Sequence, residues 1–446
     1  MDSFNAYVEA NRERFVEELK TFVRQPSVSA QGLGLQEMAD LVQARLDKLG
    51  AVTRQIPTGD GPPIVYGEMG QGQRSLLIYN HYDVQPPDPL ELWESPPFEP
   101  EIRDGYFYGR GVADNKGDLL ARIQTVEAWL ATRGELPLRI KWFAEGEEEV
   151  GSPHLFPIAE AYGDMLQADG CLWETGGLDE EGNFVLTMGL KGITYFELRA
   201  RCAERDLHSG YAPLVENPAW RLVWALSTLK DEHDRITIDG YMDHVKPLTE
   251  DEIAAFARMP FHEKQLKARW GVERFIGDRS GLDAQLYLHA TPTCTICGIE
   301  SGYTGPGTKT VLPAEARVKL DFRLVPDLTP DLALELLRAH LDRRGFDDVE
   351  IERLNGEHPA KSPLDAAVVR AAAEAAEAVY GHPPLLNPWA AGSGPMYPLS
   401  TKLGIPAVFA GINGPGANAH SPNENIRLDL YFQGMRFMAE LIERFA

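Results

Sequence analysis

Three short apolar runs that each end abruptly in acids or a histidine constrain this chain more than any other feature. They are Leu76-Leu-Ile-Tyr-Asn-His81-Tyr-Asp83, Ile140-Lys-Trp-Phe-Ala-Glu145-Gly-Glu147-Glu148-Glu149 and Cys171-Leu-Trp-Glu174. Together with Ile64-Val-Tyr66 they read as core strands, and the helical stretch 117–132 lies between two of them. Short apolar strands alternating with helices predict an α/β fold, a mostly parallel sheet with helices on both faces. Such sheets bind ligands beyond the carboxyl ends of their strands. That is where the acids and the histidine fall.

The rest of the chain divides by texture. Val8, Phe15, Leu19, Phe22 and Val23 recur at helical spacing over 5–24, and Leu41, Val42, Leu46 and Leu49 precede Gly50 as a stop. From Lys191-Gly192 the order becomes strand (193–203), helix (218–229), a charged and partly helical stretch (239–290), then alternating Ala316, Val318, Leu320, Phe322 and Leu324. A further helix and strand run to about Leu354, which describes a small open-faced α+β domain. After Ser362 the helix 365–380, the strand 407–410 and the helix 428–445 return to the first pattern. The expected organisation is a catalytic domain in two parts, 1–189 and 357–446, with an inserted domain over 190–356.

Charge and composition remove several classes of function. The 43 Lys and Arg against 67 Asp and Glu leave −24, which repels nucleic acid and anionic membranes. Residues with hydrophobic side chains make up 43%, enough to build a core. No run reaches the eighteen or so apolar residues of a membrane span, and the opening MDSFNAYVEANRERF lacks a basic then apolar leader. The expected compartment is the cytoplasm. Four cysteines cannot form a disulfide scaffold, and Cys294 and Cys297, three apart in a strand-like stretch, face opposite sides, so both are expected to be structural.

Taken singly, the polar residues are ambiguous. His81 and Asp83 share a strand face, but such a pair also serves as a turn hydrogen bond; Asp114 in Gly109-Arg-Gly-Val-Ala-Asp114-Asn-Lys-Gly could be a helix cap. The four carboxylates within residues 145–149 say more, because adjacent acids just past a core strand repel unless cations neutralise them. Adding Glu174 and the His420 of Gly416-Ala-Asn-Ala-His420-Ser-Pro-Asn-Glu gives the composition of a two-metal oxygen/nitrogen site.

Six ordered motifs then make a specific resemblance. HYDVQPP, W-x-S-P-P-F-x-P-x-I-x-D-G-x-x-Y-G-R-G-x-A-D, E-G-E-E-E-x-G-S, D-L-H-S-G, R-L-V-P and A-H-S-P-N-E lie within residues 79–425. In this order the chain resembles the carnosinase-like dipeptidases of the aminoacylase and glutamate-releasing carboxypeptidase clan of two-metal peptidases. The resemblance implies a ferredoxin-like lid and dimerisation domain for the insertion, and a homodimer. It implies two divalent ions per subunit, zinc first, with manganese or cobalt as alternatives. One would be held by His81, Asp114 and Glu174, the other by Asp114, Glu149 and His420, with Asp114 bridging. Glu148 matches the general base on a metal-bridging water, and Asp83 the acid that orients His81. His208 matches a histidine that stabilises the oxyanion across the dimer interface, and Arg323 the binder of the substrate carboxylate. A cis bond between Asp114 and Asn115 is also implied.

Three positions depart from the pattern. Asn80 stands where G-H-Y-D has glycine, and Glu174 replaces the aspartate of the dipeptidases, as in aminoacylases and the carboxypeptidase branch. Where dipeptidases have R-E-G-G-S, this chain has Trp389-Ala-Ala-Gly392-Ser393, keeping the Gly392 and Ser393 that would approach a substrate carboxylate. The expected activity is hydrolysis of dipeptides or short peptides with a free terminal carboxylate. The alternatives are an amidohydrolase for N-acyl amino acids and a catalytically inactive binding module. The module is disfavoured because all five ligands and the base are present.

Overall fold

The computed structural model describes all 446 residues. The chain forms two compact units: Met1–Gly189 with Lys361–Pro388 and Pro398–Ala446, and Leu190–Ala360 with Trp389–Tyr397. The segment Trp389–Tyr397 thus belongs to the second unit and not, as its position in the chain suggested, to the first.

The first unit is built on a nine-stranded sheet. Its path runs Val52–Ile56, Ile64–Met69, Arg139–Glu145, Ser75–His81, Gly170–Trp173, Ala407–Phe409, Phe184–Thr187, Leu385–Asn387, and the ninth strand, Gly177–Leu178, pairs with Phe184–Thr187 off this path. The four central strands from Arg139–Glu145 to Ala407–Phe409 are parallel. Ile64–Met69, which the sequence grouped with them, runs antiparallel to Arg139–Glu145, since the turn joining it to Ser75 is too short for a crossover. Leu76–His81 and Ile140–Glu145 are buried at every position, so both faces of the sheet are covered. The cover includes Phe4, Phe15, Leu19 and Phe22 from the amino terminus, Leu119, Leu120 and Ile123 of the helix Lys116–Arg133, and Met435, Met438 and Ile442 of the helix Leu428–Phe445. The stretch 5–24 is two helices, Asp2–Ala10 and Arg12–Arg24. Asn11 breaks them, its side-chain amide donating to the Tyr7 carbonyl at 2.9 Å.

Topology places the site in this unit. From His81 the chain crosses through Lys116–Arg133 to the strand on one side, and from Glu145 it returns to Gly170–Trp173 on the other. The crevice between Ser75–His81 and Gly170–Trp173 is therefore a switch point, where the loops splay apart and leave room for a ligand.

The second unit carries a four-stranded antiparallel sheet in the order Thr295–Ser301, Glu315–Leu324, Gly192–Arg201, Glu350–Glu357. With the helices Pro218–Leu226 and Pro330–Arg343 the chain order is strand, helix, strand, strand, helix, strand, the ferredoxin-like arrangement. Phe196, Leu198 and Ala200 are buried with Val318, Leu320 and Phe322, while the residues between them are half-buried or exposed, the alternation of a sheet covered on one face. Both helices begin with proline behind a side-chain cap, Asn217 accepting from Ala219 N and Thr329 from Leu332 N. The stretch 239–290 contains three helices, Glu250–Arg258, Glu263–Trp270 and Gly281–Ala290. Cys294 is buried, Cys297 is exposed, and all four cysteines are free. No helix is long and apolar enough to cross a membrane.

Candidate metal centre

His81, Asp83, Asp114, Glu148, Glu149, Glu174 and His420 come together at the carboxyl ends of the central strands. His81 ends its strand, and the parallel register sets it beside Glu145, so the turn Glu148–Val150 starts next to it. Glu174 follows Trp173 directly. Asp114 is delivered by the loop before Lys116, where Gly111 takes φ +86 and passes so close to Val84 that a β-carbon would lie 2.4 Å from it. The Asp114–Asn115 peptide is cis.

Two histidine–carboxylate clusters share Asp114. Asp114 Oδ1 lies 2.9 Å from His81 Nε2, and Asp114 Oδ2 lies 3.0 Å from His420 Nε2. Glu174 Oε2 is 3.8 Å from His81 Nε2, and Glu149 Oε2 is 3.1 Å from His420 Nε2. Each oxygen of Asp114 thus addresses a different histidine, and each histidine has a second carboxylate nearby. Asp83 completes the frame. Its backbone carbonyl lies 3.1 Å and its carboxylate 3.3 Å from His81 Nδ1, and its two carboxylate oxygens accept the N–H groups of Glu148 (3.2 Å) and Glu149 (3.1 Å).

These donors fit divalent cations. Glu149 Oε1 and Glu174 Oε2 are buried without a hydrogen-bond partner in the chain, a costly arrangement for carboxylate oxygens unless an ion satisfies them. Burial, then repulsion from Glu174, raises Glu148 well above the usual carboxylate range; burial, then Asp114, Glu145 and Glu149, pushes Glu174 up to about 8. Hydrogen bonds to Asp114 and Glu149 hold His420 protonated up to about 10. A bound cation would take that proton's place and reverse the cost of gathering these acids. The imidazole and carboxylate donors suit zinc, manganese or cobalt.

Four further residues hold the site and were not assigned a role from the sequence. The Arg122 guanidinium donates to the carbonyls of Tyr79 (2.9 Å), Trp173 (2.7 Å), Glu174 (2.7 Å) and Ala410 (2.9 Å), tying three strand ends together. It also donates to Asn80 Oδ1 at 2.9 Å, while Asn80 donates to Asn115 Oδ1. The asparagine that departs from the motif is thereby built into the support of the Asp114 loop. Asn115 in turn donates to the Glu174 carbonyl at 3.0 Å. Glu424, last residue of the A-H-S-P-N-E motif, accepts from Arg110 and from the N–H groups of Gly111, Ala113 and Asp114. The available signals were an arginine set directly among Leu119, Leu120, Ala121 and Ile123, and an acid within a motif.

The remaining sequence-derived residues lie in the second unit. Arg323 Nη1 donates to Ser393 Oγ at 2.9 Å, and the Gly392 carbonyl accepts from Lys191 N at 3.0 Å. His208 is exposed, its Nδ1 accepting from Gly210 N at 3.0 Å and its ring edge-on to Tyr211.

Residues 77–444 match peptidase family M20/M25/M40. The chain belongs to this family. It is a metallopeptidase, and His81, Asp114 and Glu149 form a group whose ligand atoms lie close enough together to hold a metal ion. The sequence is 29% identical to a Beta-Ala-His dipeptidase of Rattus norvegicus, covering 97% of this chain and 93% of that one. It is 31% identical to a Cys-Gly metallodipeptidase of Schizosaccharomyces pombe, covering 100% and 98%. The fold matches an M20 family metallo-carboxypeptidase from Sulfolobus solfataricus with a TM-score of 0.88 at 38% identity, covering 97% and 99%.

Proposed function

We propose that this metallopeptidase hydrolyses dipeptides, and short peptides with a free terminal carboxylate, using two divalent ions per subunit, zinc first and manganese or cobalt as alternatives. The observation that carries the reading is the split of Asp114 between His81 and His420, each with its own second carboxylate, in a chain whose relatives are named dipeptidases. Two such ions, when bound, supply polarisation of the scissile carbonyl and acidification of the attacking water. His81, Asp114 and Glu174 would hold one, and Asp114, Glu149 and His420 the other. Glu148 takes the proton of the attacking water and delivers it to the leaving amine. Asp83 fixes the Glu148–Glu149 turn through two backbone N–H groups and orients His81. Arg323, with Ser393 and Gly392, receives the terminal carboxylate, for which a planar guanidinium is suited.

A second copy of the chain is the partner, and His208 of one subunit serves the oxyanion of the other. Support comes from the second unit's sheet. Its edge strand Thr295–Ser301 exposes Ile296 (49%) and Ile299 (60%) with no proline and one charge to block pairing. The helix Pro218–Leu226 exposes Trp220, Val223 and Trp224. Four free cysteines suit a reducing compartment such as the cytoplasm.

The test is a panel of unmodified dipeptides, N-acetyl amino acids and tripeptides, assayed with each metal after chelation. Turnover of free dipeptides without turnover of the acetylated analogues is the expected result. The opposite preference would make the chain an amidohydrolase using the same chemistry.

A further inference from the structure

The second unit buries a lysine that the reaction does not use. Lys191 is 2% exposed, and its nearest partners are carbonyls, with no carboxylate among them. Its ammonium donates to Leu288 O and Thr291 O, both at 2.7 Å, at the carboxyl end of the helix Gly281–Ala290. That end carries the negative pole of the helix, which compensates the buried charge in part. Burial, then the neighbouring Arg323, still lowers the lysine to about 8, so the group is held at a cost.

The same residue grips a second segment. Its backbone N–H is shared between the carbonyls of Ala390 (3.3 Å) and Gly392 (3.0 Å), immediately before Ser393. A reciprocal clasp runs alongside: Trp389 Nε1 donates to His289 O at 2.9 Å, and His289 Nδ1–H donates to Trp389 O at 3.0 Å. Phe256 stacks on the His289 ring at 4.6 Å and meets Trp389 edge-on at 5.2 Å. Helices from the stretch 239–290, otherwise without a role, are thus fastened to the segment that places Ser393 against Arg323.

We propose that Lys191 is a positioning residue for the carboxylate cradle. By tying the end of the helix Gly281–Ala290 to Trp389–Tyr397, it holds Ser393 on Arg323 and makes a free terminal carboxylate a requirement for tight substrate binding. This rests on the reading of Arg323 as the carboxylate binder.

The metal-loaded enzyme is assayed on one dipeptide in its free-acid and amidated forms, comparing Arg323→Ala, Lys191→Met, Lys191→Arg and His289→Leu. Arg323→Ala should raise the free-acid KM by about 10- to 100-fold and leave the amide's KM in place. Lys191→Met should raise the same KM about tenfold with kcat within about twofold, and Lys191→Arg should restore most of the loss. His289→Leu loosens the same clasp and should shift the same KM in the same direction, which keeps the test open should Lys191→Met fail to fold. If Arg323→Ala separates the two substrates while Lys191→Met and His289→Leu leave the free-acid KM unchanged, or depress kcat alike on both, the role of Lys191 is refuted and the carboxylate reading stands. If Arg323→Ala does not separate them, the carboxylate reading falls and the proposal falls with it.

Discussion

Glu424 accepts the backbone N–H of Asp114 at 3.0 Å across 310 residues of chain. The same carboxylate holds the N–H groups of Ala113 (2.8 Å) and Gly111 (2.9 Å) and the fully buried guanidinium of Arg110 (2.7 Å). Four residues beyond His420, it locks the loop that presents the shared ligand to the segment that presents a second ligand. Glu424→Leu should therefore cost about 3–5 kcal/mol of unfolding free energy, because it strands a buried arginine and three amides. The double variant Arg110→Met, Glu424→Leu should recover only part of that, since the amides remain unpaired. Denaturant unfolding measures both, and a loss under about 1 kcal/mol would show that the loop keeps its shape without this anchor.

Glu148 and Glu149 are neighbours in one turn with opposite fates. The Glu149 side chain is 3% exposed and lies against His420, whereas Glu148 is the residue proposed to carry the proton. Glu148→Gln should keep the fold and the metal content while losing about 10²–10⁴ in kcat. Glu149→Gln should lose metal first and activity as a consequence. Metal analysis and steady-state kinetics on the same preparations check the pair. Retention of a tenth of the activity by metal-replete Glu148→Gln would remove it as the base.

Stripping the protein with a chelator should abolish turnover, and returning zinc, manganese or cobalt should restore it. The chelated form should also melt lower. A ligand present at 100 times its dissociation constant adds about 2.7 kcal/mol to the native state, and Glu149 Oε1 and Glu174 Oε2 are then no longer left without partners. Thermal unfolding with and without each ion reads this directly. An unchanged midpoint with full activity after exhaustive chelation would contradict the site.

What was legible in the sequence follows the physics of each element. Polar strand ends are visible because a buried strand changes character abruptly where it leaves the core, as at His81 and Glu174. Alternation along 316–324 is visible because a sheet covered on one face has a period of two. The direction of Ile64–Met69 was not visible, since an antiparallel buried strand has the same apolar text as a parallel one. Asn11 was missed because one interrupted turn hardly disturbs helical spacing. Arg122 and Glu424 were missed for a different reason: each works mainly through backbone carbonyls or amides, and which backbone groups lie nearby is decided by the fold and not by local sequence. Trp389–Tyr397 joins the second unit through the Trp389–His289 clasp, a pairing 100 residues apart that no local pattern reports.

The His208 ring is exposed, with Gly210 and Tyr211 as neighbours from its own loop, so it is available to a second molecule. If it serves the partner subunit's site, His208→Ala and Glu148→Gln are defects in different halves of a shared site. Each inactive homodimer carries one defect in both sites. In a heterodimer one site carries both defects and the other carries neither, because a two-fold interface makes the exchange reciprocal. Mixing equal amounts and allowing subunits to exchange makes half the dimers hybrid, so about a quarter of wild-type activity should return. Activity is followed against time, with exchange monitored independently by mass-tagged subunits. Complete exchange without recovery would place His208 in its own chain's chemistry or outside the reaction, and a monomer at assay concentration would dismiss the shared site altogether.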